Sequence, residues 1–387
     1  MRFVVTVMLL ALAASAEAQP PRAAGAADRT AAALGRGWSG LGQGQPAKAA
    51  EVAQQLLQSD PANHEAAALA AAAYSADRRS IEALDAYERW LQASPGEDVF
   101  ILGTIAGGVL RALATSPEPR VRIAALVALA EAGDRAARQT LAAEARSGPS
   151  IESDAALARL GDREAIGRLE ATITAGGPRD KSAAIAALSA AGSKASVPAI
   201  SAALKDQAPP SRMAAARALA DLRATDTIPA LKAALQEPDP AVRHMIAVSL
   251  ARLGDPSGGV TLESLEKSPV GEFRLMAAAA AAAEAPNGPW DAAAESLLAD
   301  PDPLVRLRAA ALLREHGRSI EKAEAVLAAG LTDAAPAVRT AASNLVIEAI
   351  RKPGAQQDIP TLRRLLRDRL PEIQSAAAGS LLRASRR

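Results

Sequence analysis

No cysteine occurs in the 387 residues, and aromatic side chains make up only 2% of them. The first absence excludes disulfide staples, thiolate metal sites, thiol nucleophiles and a lipidated cysteine, so stability must come from packing alone. The second removes the stacking platforms that hold single-stranded nucleic acid: after Phe100 the only aromatics are Phe273 and Trp290. An excess of charge of one sign is also missing. Forty-four basic residues face 43 acidic ones, and a formal net charge of +1 steers toward neither a polyanion nor a membrane surface. What the chain has instead is alanine. Apolar residues reach 49% largely on that account, and alanine is the strongest helix former because ordering it costs no side-chain entropy.

The N-terminus opens with Arg2, continues through the apolar run Phe3–Ala14 and reaches Ala16-Glu17-Ala18. A charged start, a short apolar stretch and a small-x-small site predict a secretory signal over residues 1–18, cleaved after Ala18. Residues 19–27, with Pro20 and Pro21, read as a disordered linker. The apolar run is too short to span a bilayer, so the mature chain is expected to lack a transmembrane segment. It is expected in the periplasm or outside the cell, and not as a lipoprotein.

Two periods organise the rest. A basic residue returns at Lys181, Arg212, Arg243, Arg274, Arg306 and Arg339, at steps of 31 to 33 residues. A proline stands three residues ahead of this register at Pro119, Pro178, Pro209, Pro240, Pro303, Pro336 and Pro371, where a first helical turn tolerates a missing amide hydrogen. Six and seven residues after the basic one come pairs such as Ala187-Leu188, Ala218-Leu219 and Ser249-Leu250, which form the apolar stripe of a helix. Repeats of this length predict stacked helix pairs that share one continuous core, since none can bury its apolar face alone.

Val121-Arg122, Val242-Arg243, Val305-Arg306 and Val338-Arg339, with Val197-Pro198, Ile228-Pro229 and Ile359-Pro360 in the preceding helices, resemble HEAT repeats of the short kind found in phycobilisome lyases. The resemblance implies an all-α solenoid of antiparallel helix pairs over residues 97–387. Nine pairs are expected, with register positions at Arg122, Ser150, Lys181, Arg212, Arg243, Arg274, Arg306, Arg339 and Gln374. Ser150 and Gln374 depart from the pattern, the latter as the polar cap of the array. Ahead of it, Leu56–Pro61 aligns with Trp90–Pro95 at a spacing of 34. Residues 28–95 therefore resemble two tetratricopeptide repeats, the first weakened by Gly35, Gly37, Gly40, Gly42 and Gly44. Val99–Leu110 is expected as a buried helix joining the two arrays.

No catalytic, cofactor-binding or metal-binding residues are predicted. His64, His244 and His316 are far apart, and the one His-Glu pair, His64-Glu65, cannot supply the two-iron site of the deoxyhypusine hydroxylases, a related helical-repeat family. Gly40–Gly44 lacks the strand and the lysine-hydroxyl pair of a phosphate loop, and no serine lies on a nucleophile elbow. The resemblance implies that the ladder Arg122, Lys181, Arg212, Arg243, Arg274, Arg306 and Arg339 is structural, bridging repeats to acids such as Asp239, Asp302 or Asp333.

The expected activity is binding: a protein or peptide partner held on the concave face, with Arg217, His244 and Arg252 as contact candidates. One asymmetry suggests a second reading. Between Arg351 and Arg387 nine basic residues face three acidic ones, so Arg363, Arg364, Arg367 and Arg369 are candidates for an anionic envelope surface. The lyase resemblance also implies chromophore handling, which the export signal disfavours.

Overall fold

The computed structural model describes residues 26–94, 96–351 and 358–386. The expected signal at 1–18 lies outside them, as do most of the expected linker and two basic residues of the C-terminal stretch, Lys352 and Arg387. The described residues form twenty-two α-helices in tandem and no strand, an all-α solenoid.

Four helices come first: α1 (Ala26–Gly42), α2 (Pro46–Ser59), α3 (His64–Ala76) and α4 (Ser80–Ala93). Eighteen follow as nine pairs. These are α5 (Val99–Leu113) with α6 (Pro119–Glu131), α7 (Arg135–Ser147) with α8 (Ile151–Arg159), and α9 (Arg163–Ala175) with α10 (Pro178–Ala190). Next are α11 (Val197–Ala202) with α12 (Pro209–Asp221), α13 (Ile228–Ala233) with α14 (Pro240–Arg252), and α15 (Leu262–Glu266) with α16 (Gly271–Glu284). The last three are α17 (Asp291–Ser296) with α18 (Pro303–Glu315), α19 (Ile320–Leu331) with α20 (Pro336–Arg351), and α21 (Ile359–Leu365) with α22 (Pro371–Ala384).

Local chemistry sets these boundaries. Asp98, Asp134, Asp162, Asp239, Asp302 and Asp358 each accept a backbone amide at a helix start, satisfying donors that have no partner within the helix. Ser150, which breaks the basic register, makes a capping box with Ser153 at the start of α8. Gly254 leaves α14 at φ +84°, a conformation that favours glycine. The glycine-rich segment is more ordered than its composition suggests. Gly35, Gly37, Gly40 and Gly42 all lie within α1, and only Gly44 turns, at φ +73°. Gly37 lets α1 lie directly against Leu69 of α3, where a methyl group would collide.

The core is built by one recurring position on the second helix of each pair. Leu129, Leu157, Leu188, Leu219, Leu250, Leu313 and Leu381 all stand seven residues after the register and are all buried. Leu250→Ala is expected to cost about 2–5 kcal/mol in a denaturant melt, from lost transfer energy plus the cavity left behind. A cost near zero would mean that this register is not the packed one.

An open array was expected, with its last pair as a solvated cap. The structure instead closes. Each second helix packs on the next, from α6 through α8, α10 and onward to α20 and α22, and α22 then packs on α6 and across α5. One apolar cluster accordingly runs from Leu34 to Ala165 and resumes from Ala278 to Leu382, joining the two ends of the chain. Helix α5 is the node of this closure, because it also packs on α3 and α4. Its Gly108 lies against Ser75 of α3 and its Gly103 against Ser385, so small residues admit neighbours on both sides.

Candidate partner-binding face

The basic ladder is spent inside the fold. Seven register residues donate to the backbone carbonyl six positions earlier: Arg122 to Ser116, Arg212 to Asp206, Arg243 to Glu237, Arg274 to Ser268, Arg306 to Asp300, Arg339 to Asp333 and Gln374 to Asp368. Gln374 thus does with an amide what the arginines do with a guanidinium. Several register bases also reach an acid of the next pair. Arg122 meets Glu144 at 2.8 Å, Lys181 meets Asp206 at 2.6 Å, and Arg274 meets Asp300 at 2.9 Å. Arg212 donates to the two oxygens of Glu237 through Nε and Nη2, each at 2.7 Å, and Arg339 lies 3.8 Å from Asp368.

The acids expected in this role were Asp239, Asp302 and Asp333. Asp239 and Asp302 cap helices instead, and the Asp333 carboxylate accepts the Ala335 amide. The bridging carboxylates Glu237 and Asp300 lie two residues before those caps and are nearly buried. The Arg212 hydrogen bonds hold Glu237 below the usual carboxylate range, and Lys181 does the same for Asp206. A groove of about 780 Å³ beside α11 and α13 is lined by this same paired set, Asp206, Arg212 and Glu237.

The basic C-terminal stretch also turns inward. Arg363 donates to Glu97 at 3.1 Å and Glu88 at 2.9 Å, and Arg367 to Asp85 at 2.6 Å and Glu88 at 2.8 Å. Burial keeps the Tyr87 hydroxyl protonated, its pKa raised well above the ordinary value, so it donates to Glu97 at 2.8 Å. Arg383 reaches Glu131 of α6 at 2.7 Å, and Arg386 bonds the Ala132 carbonyl. Arg363 and Arg367, expected as free contacts for an anionic surface, therefore clasp the end of the array to its beginning. Arg364 and Arg369 remain exposed. Sequence alone could not pair residues some 270 positions apart, although the run of Asp85, Glu88 and Glu97 was a visible acidic counterpart.

The histidines serve packing. His64 lies edge-on to Trp90 and 2.7 Å from Asp98, His244 lies edge-on to Phe273, and His316 to Trp290. Burial disfavours a charged Asp98, but the Ile101 amide and the His64 ring outweigh that and hold its carboxyl below the usual range. Among the described residues no three histidines or carboxylates gather where a metal ion could sit, and no helix is long and apolar enough to cross a membrane.

What stays open is a stripe along the second helices. On α10 it consists of Arg179, Ala183, Ala186 and Ala190, all exposed, and on α20 of Ala337, Asn344 and Glu348 with a half-buried Ala341 among them. These positions are spaced four, three and four residues apart and so share one helix face. Arg217 of α12 and Arg308 of α18 both approach Glu272 of α16, at 3.9 and 2.9 Å, which places the stripe on the inside of the curve. Arg252 lies on it too, bonded to Asp221 one repeat back at 2.7 Å. Of the predicted contact residues, Arg217 and Arg252 share this inner face, while His244 sits beside it against Phe273.

Residues 197–283 and 291–382 match the family model for HEAT repeats. No curated protein matches the chain.

Proposed function

We propose that this HEAT-repeat protein is an exported, non-catalytic scaffold that holds a protein or peptide partner on the inner wall of its ring. The observation that carries this reading is the division of labour along each second helix. The register residues and the leucines seven positions on are consumed in bridges and core, while the inner stripe stays exposed along α10, at Arg217 of α12 and at Ala337, Asn344 and Glu348 of α20. Its side chains are mostly alanine, with scattered charges already close to a partner of opposite sign. Such a wall offers breadth, and affinity comes from many modest contacts spread over a preformed surface. The export element of the proposal rests on the segment at residues 1–18.

A photoreactive residue placed at Ala186 or Asn344 on the inner stripe, or at Glu164 or Ala171 on the outer face of α9, separates the two faces. Irradiation in the native envelope is expected to give a discrete protein adduct from the inner positions only. Adducts from the outer pair alone, or equally from both, would reject the inner wall as the binding face.

A further inference from the structure

We infer that the ring opens at the joint between α14 and α16, within the continuous chain, and not at the seam where its two ends meet. Four observations converge there. The core is interrupted: one cluster ends at Leu250, the other resumes at Ala278, and the small cluster between them has, among the described residues, only Val248, Leu265 and Ala277 as buried members, with Val260, Phe273 and Met276 half-buried against it. The position that is leucine or valine in the other second helices is Ala281 in α16, and it is only partly buried. The outer helix α15 is reduced to five residues, Leu262–Glu266.

The fourth observation is a missing bridge. Asp206, Glu237, Asp300 and Asp368 occupy the same place in their turns and receive the base of the preceding pair. At that place the sixth pair has Ser268, and among the described residues Arg243 bonds only the Glu237 carbonyl. Arg306 likewise lacks a carboxylate, but Leu307 there packs tightly against Gly330 and its neighbours. The core clusters also change between α8 and α9, but there Arg168 reaches Asp154 across the joint at 2.6 Å.

The seam, by contrast, is tight. A methyl group at Gly379 would lie 2.9 Å from the Ala128 side chain, and Glu131 is shared by Arg383 and Arg159. Local opening begins where buried apolar contacts are fewest, so the ring should part at the sixth pair while the clasp of the chain ends holds. Opening there would give a bulky partner lateral entry to the inner wall, though the inference does not depend on which partner that is.

The absence of native cysteine allows a direct test. Val248→Cys places a thiol in the joint and Ala377→Cys one in the seam, both at fully buried positions. In native buffer a thiol reagent is expected to label residue 248 at least about tenfold faster than residue 377. Equal rates, or faster labelling at 377, would overturn the inference. Hydrogen exchange on the unsubstituted protein guards against damage by either substitution: amides of α16 should exchange before those of α22, and the reverse order is fatal to the idea. Ser268→Asp keeps the turn, because Ser268 already accepts the Val270 amide as Asp300 accepts that of Asp302, and it supplies the missing carboxylate. On the Val248→Cys background it should slow labelling several-fold and leave residue 377 unaffected. An unchanged rate at 248 would count against the joint as the opening point.

Discussion

Leu381→Asp is expected to open the ring and to cost several kcal/mol. Leu381 lies on α22 and is fully buried, in the cluster that joins Leu102 and Ile105 of α5 to the last pair. A carboxylate there would have no cation to meet and would be forced either to protonate or to drag the helix into water. The α22 face would then separate from α5 and α6, exposing the apolar surface of the junction helix. Small-angle scattering should show a larger radius of gyration, with a lower melting temperature by circular dichroism. An unchanged scattering profile with full stability would show that the ends do not need each other.

Arg212→Ala should be the most damaging change on the ladder, at about 3 kcal/mol near neutral pH. Its guanidinium binds both oxygens of Glu237, whose side chain is only 6% exposed, and removing one partner of a buried pair leaves an uncompensated charge. The pH dependence follows from the direction of the shift. In the parent protein Arg212 lowers the Glu237 pKa, so the pair contributes its full stability above the ordinary carboxylate range, and the contribution fades as pH falls through the lowered value. In the variant, burial acts on Glu237 against only the Asp239 amide and Arg243, so the carboxyl loses the largest cause of its lowering and protonates at a higher pH than in the parent. The difference between parent and variant should therefore shrink from pH 7 toward pH 4. A gap of constant size in urea melts across that range would mean that Glu237 is not the group left unpaired.

Much of the fold was legible in the chain because the relevant signals are local. Pro240 in a first turn, Asp239 ahead of it, Leu250 on the apolar stripe and Gly254 at the exit each act within a few residues. The choice between Asp239 and Glu237 as the bridging acid was not legible. Both lie in the same turn, and only the path of the backbone decides that one carboxylate faces the amides of α14 while the other faces Arg212. Arg363 and Arg367 were misread for a related reason: a cluster of charge looks solvated until an acidic surface from the opposite end of the chain is laid against it.

The amino-acid sequence by itself determined that this protein would be stacked helix pairs, with a basic ladder and a leucine seam at a period near 31, because one helix pair is short enough to carry its own instructions. Tertiary structure alone decided that the array closes. Closure depends on a small rotation between neighbouring pairs, summed over nine of them, and that sum is written in no single repeat. It turned the expected polar cap into a seam and an open concave wall into the lining of a ring. It also left the sixth pair, with its alanine-rich helix and its serine in place of an acid, as the weakest joint of the circle.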